Sequence, residues 1–240
     1  MTEWFEQWFG EEYLRLYPDR DDEDARAAVA LIERVVPLPG TLVLDLACGP
    51  GRHAAQLASR GARVVGFDLS MPLLRTAKQR LPPPKMLVRG DMRVLPFGPD
   101  TFDLVVNLFT SFGYFSDDVE HQRALCEVTT VLRSRGLLVL DYFHASAIRA
   151  HLVPREERVV GSQRVVIERR ISTDGRFVTK DIYLTGDGRR FTERVRFFSP
   201  AELEGMLRSA GLRVLERFGD YDGQSLNGDT PRAIFVAQRD

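Results

Sequence analysis

The sequence predicts an α/β fold: a doubly wound, mainly parallel sheet with a helical N-terminal segment before it and an antiparallel meander inserted late in the chain. Three observations carry this. From residue 42 onward, short apolar runs alternate with amphipathic stretches bounded by Gly or Pro, the pattern of successive βα units. A glycine-rich turn, "LACGPGRH", follows the first of these runs. After His144 the apolar period shortens to two and Asp-Gly turns separate the runs, as in hairpins.

The elements follow in order. Trp4, Phe5, Trp8, Phe9, Tyr13 and Tyr17 recur at helical spacing and fall on one stripe of a helix ended by Pro18. That stripe either packs on the core or forms a lid whose rings wall a pocket. "DRDDEDARAAVALIERVVPLPG" is a second helix, its acidic first turn suited to the helix dipole and its stop at 37–40. Residues 1–38 are read together as a helical lid. "TLVLDLA" is then a buried strand, "GRHAAQLASRG" a helix stopped by Gly61, "ARVVGFDLS" a strand and "MPLLRTAKQRL" a helix. "KMLVRGDM" and "FDLVVNLF" are the third and fourth strands. A helix spans 119–132, "RSRG" turns, and "LLVLDYF" is the fifth strand. The meander is placed at 158–198, inserted within a single 240-residue domain. "SPAELEGMLRSAG" has a Ser cap, Pro at the first helical position and Glu at the third. Two strands, "LRVLERFGDYD" and "RAIFVAQRD", close the chain.

Composition narrows the function. Net charge is −1, with 44% hydrophobic and 28% charged residues, so no basic field draws nucleic acid, which is an unlikely partner. No apolar run approaches the ~18 residues of a membrane helix, and no export signal opens the chain, so a cytoplasmic protein without a membrane partner is expected. The two cysteines, Cys48 and Cys126, are expected to be reduced, and no metal is expected. His121 and His151 read as exposed.

The turn decides the ligand class. Gly49-Pro50-Gly51-Arg52-His53-Ala54 reads G-x-G-x-x-A and Asp68 closes the next strand, which admits a nicotinamide dinucleotide. Asp45, at the carboxyl end of the first strand, argues against it, because a carboxylate beside a pyrophosphate is repulsive by on the order of a kcal/mol. An ammonium and a sulfonium would be welcomed instead. Asp91 ends the third strand and can accept from an exocyclic amine, with the Met92 N–H serving a ring nitrogen. After the meander only a helix and two strands remain, leaving no room for a dehydrogenase's second domain.

With Asp45-Leu-Ala-Cys-Gly49-Pro-Gly51, Asp68, "GDM" at 90–92 and "FDLVVNLF", the chain resembles the class I S-adenosylmethionine-dependent methyltransferases. The resemblance implies a Rossmann-like seven-stranded sheet whose last strand, "RAIFVAQR", is antiparallel, and S-adenosyl-L-methionine as cofactor. It implies that Asp68 binds the ribose hydroxyls, Leu69 flanks the adenine, and Asp91 and Met92 meet its edge. The Asp45 loop with Gly49 and Gly51 approaches the methionine part, and Asn107 lies beside the methyl group. Ala47 departs from the glycine frequent in the family and asks for φ below zero. Tyr13, Tyr17 and Arg52 are candidates for the cofactor carboxylate.

The "SFGYF" segment is similar to that of small-molecule N-methyltransferases. Tyr114, Tyr142 and His144 are candidate bases, since the fourth and fifth strands end beside the transferable methyl. Phe112, Tyr114 and Phe115 could shape an amine-accepting pocket. The meander roofs the substrate or forms a homodimer face. An RNA or protein methyltransferase, a cofactor-binding protein without turnover and a nicotinamide-dependent enzyme stay open as alternatives.

Overall fold

The computed structural model describes residues 3–17 and 22–240. The aromatic N-terminal stretch forms two short helices, α1 (Trp4–Trp8) and α2 (Glu11–Leu16), where one had been expected. The break falls at Gly10, whose extended backbone (φ −134, ψ −155) caps α2. The expected stop at Pro18 lies outside the described residues. α3 (Asp22–Val35) carries Asp22, Glu23 and Asp24 in its first turn, at the positive end of its dipole.

A doubly wound unit follows: β1 (Leu42–Leu46), α4 (Arg52–Ser59), β2 (Arg63–Asp68), α5 (Met71–Arg80), β3 (Met86–Arg89), β4 (Phe102–Asn107), α6 (Asp118–Val131) and β5 (Leu132–Phe143). The "RSRG" stretch, expected as a turn, is the irregular start of β5. Arg135 adopts φ 61 there, and the β4–β5 register shifts between Phe102 and Leu104. α7 (Ala145–His151), with His144 at its N-cap, leads into four antiparallel strands: β6 (Arg155–Val160), β7 (Gln163–Ile171), β8 (Phe177–Leu184) and β9 (Arg190–Arg196). β6 is a strand the alternation did not reveal. α8 (Pro200–Ser209) has the expected capping box between Ser199 and Glu202. β10 (Leu212–Phe218) and β11 (Arg232–Arg239) complete a seven-stranded sheet in the order β10-β11-β5-β4-β1-β2-β3, with β11 antiparallel to both neighbours.

Alternate residues along each central strand enter two different cores, which is how a sheet buried on both faces reads. Leu44, Val105 and Leu138 pack with Leu125, Val128, Leu203 and Leu207 of α6 and α8. Val43, Leu104, Val106 and Val139 pack with Val29, Ile32 and Leu57 of α3 and α4, and with Ala77 of α5. A third cluster joins the N-terminal helices to the meander: Trp8, Tyr13 and Leu16 against Val165, Ile167, Ile182 and Leu184. Trp8 is 1% exposed, and its indole N–H donates to Glu193 at 2.6 Å. Truncating so buried an aromatic costs about 3–5 kcal/mol, so α1 is anchored rather than loosely laid on the surface. His121, expected to be exposed, is wholly buried. It sits among Phe112, Phe115 and Phe198, accepts the Phe115 N–H at 3.2 Å, and its pKa is lowered to about 4 by burial.

Candidate active site

β1, β2, β3 and β4 run parallel and end on one side of the sheet. There a cavity of about 390 Å3 opens, bounded by the loops after these strands and, on its far side, by Phe5, Phe9 and Tyr13 of the N-terminal helices. Ala47, Gly49, Arg52, Asp68, Leu69, Asp91 and Met92 all line it.

The loop after β1 has a left-handed backbone at three places: Ala47 (φ 61), Gly49 (φ 55) and Gly51 (φ 81). The expectation of a negative φ at Ala47 is therefore corrected. Leu46 is still in the ladder and Cys48 bonds to Phe67 O at 3.0 Å, so the residue between them must reverse the chain. For an L-residue this conformation costs roughly 1–2 kcal/mol. Asp68 opposes it by accepting the Gly49 N–H at 2.8 Å. Gly51 serves packing as well: a Cβ there would lie 2.9 Å from both Ala77 Cβ and Leu81 Cδ1, so α4 approaches α5 only over a glycine.

The electrostatics are those of a cation site. Asp45 is fully buried, and burial together with the neighbouring Asp68 pushes its pKa up to about 7, against the pull of the Ala54 N–H and Arg52. Burial also raises Asp68, offset in part by the Ser70 and Gly49 N–H groups. Burial disfavours the charge of Asp91, but bonds from Arg93 outweigh it and hold Asp91 below the ordinary carboxyl value. His53, buried and close to Arg52, is lowered to about 4 and is neutral. Five buried polar atoms among the described residues have no hydrogen-bond partner, and three of them belong to this region: Asp45 Oδ2, His53 Nε2 and Asn107 Oδ1. They cluster where β1 and β4 end and α4 begins. Buried polar atoms are normally satisfied, and of these three residues His53 lines the cavity, so its orphaned nitrogen points to a ligand that brings the missing partner. Acids closing three successive strands, with glycine backbone between them, fit a cationic nucleoside cofactor and do not fit a diphosphate.

Four expected cofactor residues lie apart from this lining: Gly51, which serves the packing of α4 on α5, and Asp45, Asn107 and Tyr17. Asp45 and Asn107 are buried beside the cavity without reaching its surface, Asn107 donating to Leu46 O at 3.0 Å. Tyr17 faces the meander, where Lys180 donates to its hydroxyl and Arg158 lies over its ring.

A second cavity, of about 420 Å3, adjoins the first. Phe143, Ile148 and Val153 form one side, and Val178, Lys180, Glu193 and Val195 of the meander the other. Phe9, Phe109 and Tyr114 line both cavities. Of the three candidate bases, only Tyr114 is in either lining. Tyr142 is wholly buried and donates its hydroxyl to Arg196 O, tying β5 to the end of β9. His144 is 6% exposed, not solvent-facing, with Nδ1 2.5 Å from Ser146 Oγ. Sequence reasoning passed over Phe109, Asp141 and Arg232. The first two had a signal, an aromatic and an acid at the ends of the fourth and fifth strands; Arg232 had none.

A doubly wound sheet with an acid-lined cavity at its strand ends and a second chamber beside it is an α/β architecture built to hold two ligands side by side. Residues 43–136 match the family model described as "Methyltransferase domain". The cypemycin N-terminal methyltransferase of a Streptomyces species is 30% identical over 220 residues, 88% of each chain. The dTDP-3-amino-3,4,6-trideoxy-alpha-D-glucopyranose N,N-dimethyltransferase of Streptomyces venezuelae is 30% identical over 197 residues, 77% of this chain and 80% of that one. An amino pentose methyltransferase from Micromonospora echinaspora, solved with SAM bound, superposes with a TM-score of 0.70 at 25% identity, covering 96% of this chain and 97% of its own. The chain belongs to the S-adenosylmethionine-dependent methyltransferases.

Proposed function

We propose that the enzyme methylates the nitrogen of a small-molecule amine held in the second cavity. The observation that carries this is the junction of the two chambers at Phe9, Phe109 and Tyr114. It gives an acceptor in one chamber an aromatic opening onto the other. Relatives named for N-methylation of an amino sugar and of a peptide N-terminus support nitrogen as the acceptor atom.

When bound, S-adenosylmethionine supplies a methyl group on a cationic sulfur. The residues of this chain align and enclose. Asp68 would receive the ribose hydroxyls, Leu69 would flank the adenine, and Asp91 and the Met92 N–H would meet its edge. Arg52 and Tyr13 take the carboxylate. In-line transfer gains chiefly from alignment and exclusion of water. α1 acts as a lid over both chambers, α2 closes the first through Tyr13, and the meander caps the acceptor. Trp4, whose indole donates to Tyr114 O at 3.1 Å, fixes the lid to the opening. Tyr114 steers the neutral amine, its hydroxyl accepting an N–H so that the nitrogen lone pair is left to face the methyl group; the proton of the resulting ammonium leaves to solvent.

The test is a screen of amino sugars, amino acids and short peptides for transfer of a labelled methyl group, with the product mapped by mass spectrometry. N-methylated products are expected. Transfer confined to oxygen or carbon acceptors would overturn the nitrogen reading.

A further inference from the structure

Of the three rings at the junction, Phe9 and Tyr114 stack on each other at 5.5 Å, while Phe109 stands opposite under a different kind of restraint. We propose that Phe109 is the specificity wall of the methyl-transfer opening, and that the buried Asp141 is the positioning residue that fixes it. This rests on the reading that the first cavity takes the cofactor and the second the acceptor.

Phe109 and the residue after it, Thr110, both have left-handed backbones, φ 57 and 60. Two consecutive non-glycine residues in that region are disfavoured by roughly 1–2 kcal/mol each, and such geometry persists only where its surroundings hold it. Asp141 is what holds it. Its Oδ2 accepts the Phe109 N–H at 2.8 Å, and its backbone carbonyl accepts the Thr110 N–H at 3.0 Å. Phe143, two residues further on, donates its N–H to Thr110 Oγ1 at 3.1 Å. The carboxylate is 0% exposed and is compensated in place: Arg232 Nε donates to Oδ1, and the Tyr221 hydroxyl donates to Oδ2 at 2.7 Å. Removing one member of such a buried network leaves the others unsatisfied, so the turn and the carboxylate stand or fall together.

The consequence reaches the ring. Arg52, in the lining of the first cavity, lies 5.2 Å from the Phe109 centroid, and Arg232, in the lining of the second, lies 5.4 Å from it. The side chain is thus braced between a guanidinium belonging to each chamber. A ring serving only the core would be buried in it, whereas Phe109 is half-buried and belongs to both linings. Its place at the opening limits the size of the group that can sit on the cofactor sulfur and point toward the acceptor.

This is read by binding, without any acceptor. S-adenosylmethionine and its S-allyl analogue are titrated calorimetrically into the wild-type protein, Phe109→Ala and Asp141→Asn, with folding checked by circular dichroism. The wild type is expected to prefer the methyl cofactor by at least about tenfold, and Phe109→Ala to reduce that preference to about threefold or less. Asp141→Asn keeps the shape but cannot serve the same donors, and is expected to erode the preference although the mutated atom lies outside the first cavity's lining. If Asp141→Asn does not fold, Asp141→Glu, which displaces the carboxylate by one methylene, makes the same comparison. An undiminished preference in Phe109→Ala overturns the wall. An undiminished preference in the folded Asp141 variant overturns the positioning role. Failure of the wild type to bind S-adenosylmethionine removes the underlying reading and the inference with it, a result distinct from binding without discrimination.

Discussion

Asp68 holds the glycine turn of the neighbouring strand: its Oδ2 accepts the Gly49 N–H at 2.8 Å while its Oδ1 accepts the Ser70 N–H at 2.8 Å. One carboxylate at the end of β2 therefore shapes the loop after β1 and still lines the cavity. Asp68→Ala removes the turn's restraint together with the acceptor for ligand hydroxyls. S-adenosylhomocysteine affinity is expected to fall at least about 100-fold, near 3 kcal/mol. Calorimetry measures this, and a denaturation curve separates it from a stability loss of about 1–3 kcal/mol. Unchanged affinity would remove Asp68 from the site.

Asp45 gives binding a pH dependence. Its pKa is raised to about 7 by burial and by Asp68. A cationic ligand group favours the ionised form, so affinity falls as pH drops through 7, approaching about tenfold per unit below it. The effect on folding has the opposite sign. A carboxyl whose folded value exceeds its unfolded value of 3.8 adds stability at acid pH, and that contribution is lost as pH rises through about 7. Asp45→Asn should flatten the affinity profile between about pH 5.5 and 8.5. A profile as steep as the wild type's would place the titration elsewhere.

Ala47 is strained where glycine would not be. Ala47→Gly removes the steric conflict at φ 61 and is expected to raise stability by up to about 1 kcal/mol, net of the added freedom of the unfolded chain. Urea denaturation reads it. A clear loss of stability would mean that the loop is held in that shape at no conformational penalty.

Tyr142→Phe tests a residue that the sequence nominated for chemistry and the structure assigns to architecture. Deleting the hydroxyl leaves the Arg196 carbonyl unsatisfied at the joint between β5 and β9, for a loss of about 1–3 kcal/mol. Cofactor affinity is expected to stay at the wild-type level. A collapse of affinity with stability intact would return Tyr142 to the active site.

The parts of this fold written in local sequence were readable. The Ser199–Glu202 capping box, the acids closing β1, β2 and β3, and the Asp-Gly hairpins each depend on residues a few positions apart. What stayed hidden is non-local. His121 reads as a polar helix residue, and only the arrival of Phe198, remote in sequence, makes it core. Tyr17 shares a stripe with Tyr13, but the break at Gly10 and the pull of Lys180 turn it toward the meander. The second cavity draws on α1, β5, α7, all four strands of the meander and β11, so no single stretch announces it. Asp141 was open to the same reasoning as Asp45, an acid at a strand end, but its partners Tyr221 and Arg232 lie 80 and 91 residues away.

The central claim is that the strand-end acids bind the cofactor nucleoside and that its sulfur faces the aromatic junction. A crystal structure of the complex with S-adenosylhomocysteine tests this most directly. The account predicts ribose hydroxyls on Asp68, adenine against Leu69 with its edge on Asp91 and Met92, and sulfur turned toward Phe9, Phe109 and Tyr114. Nucleoside density in the chamber beneath the meander, with the cavity at Asp68 holding only water, would contradict it.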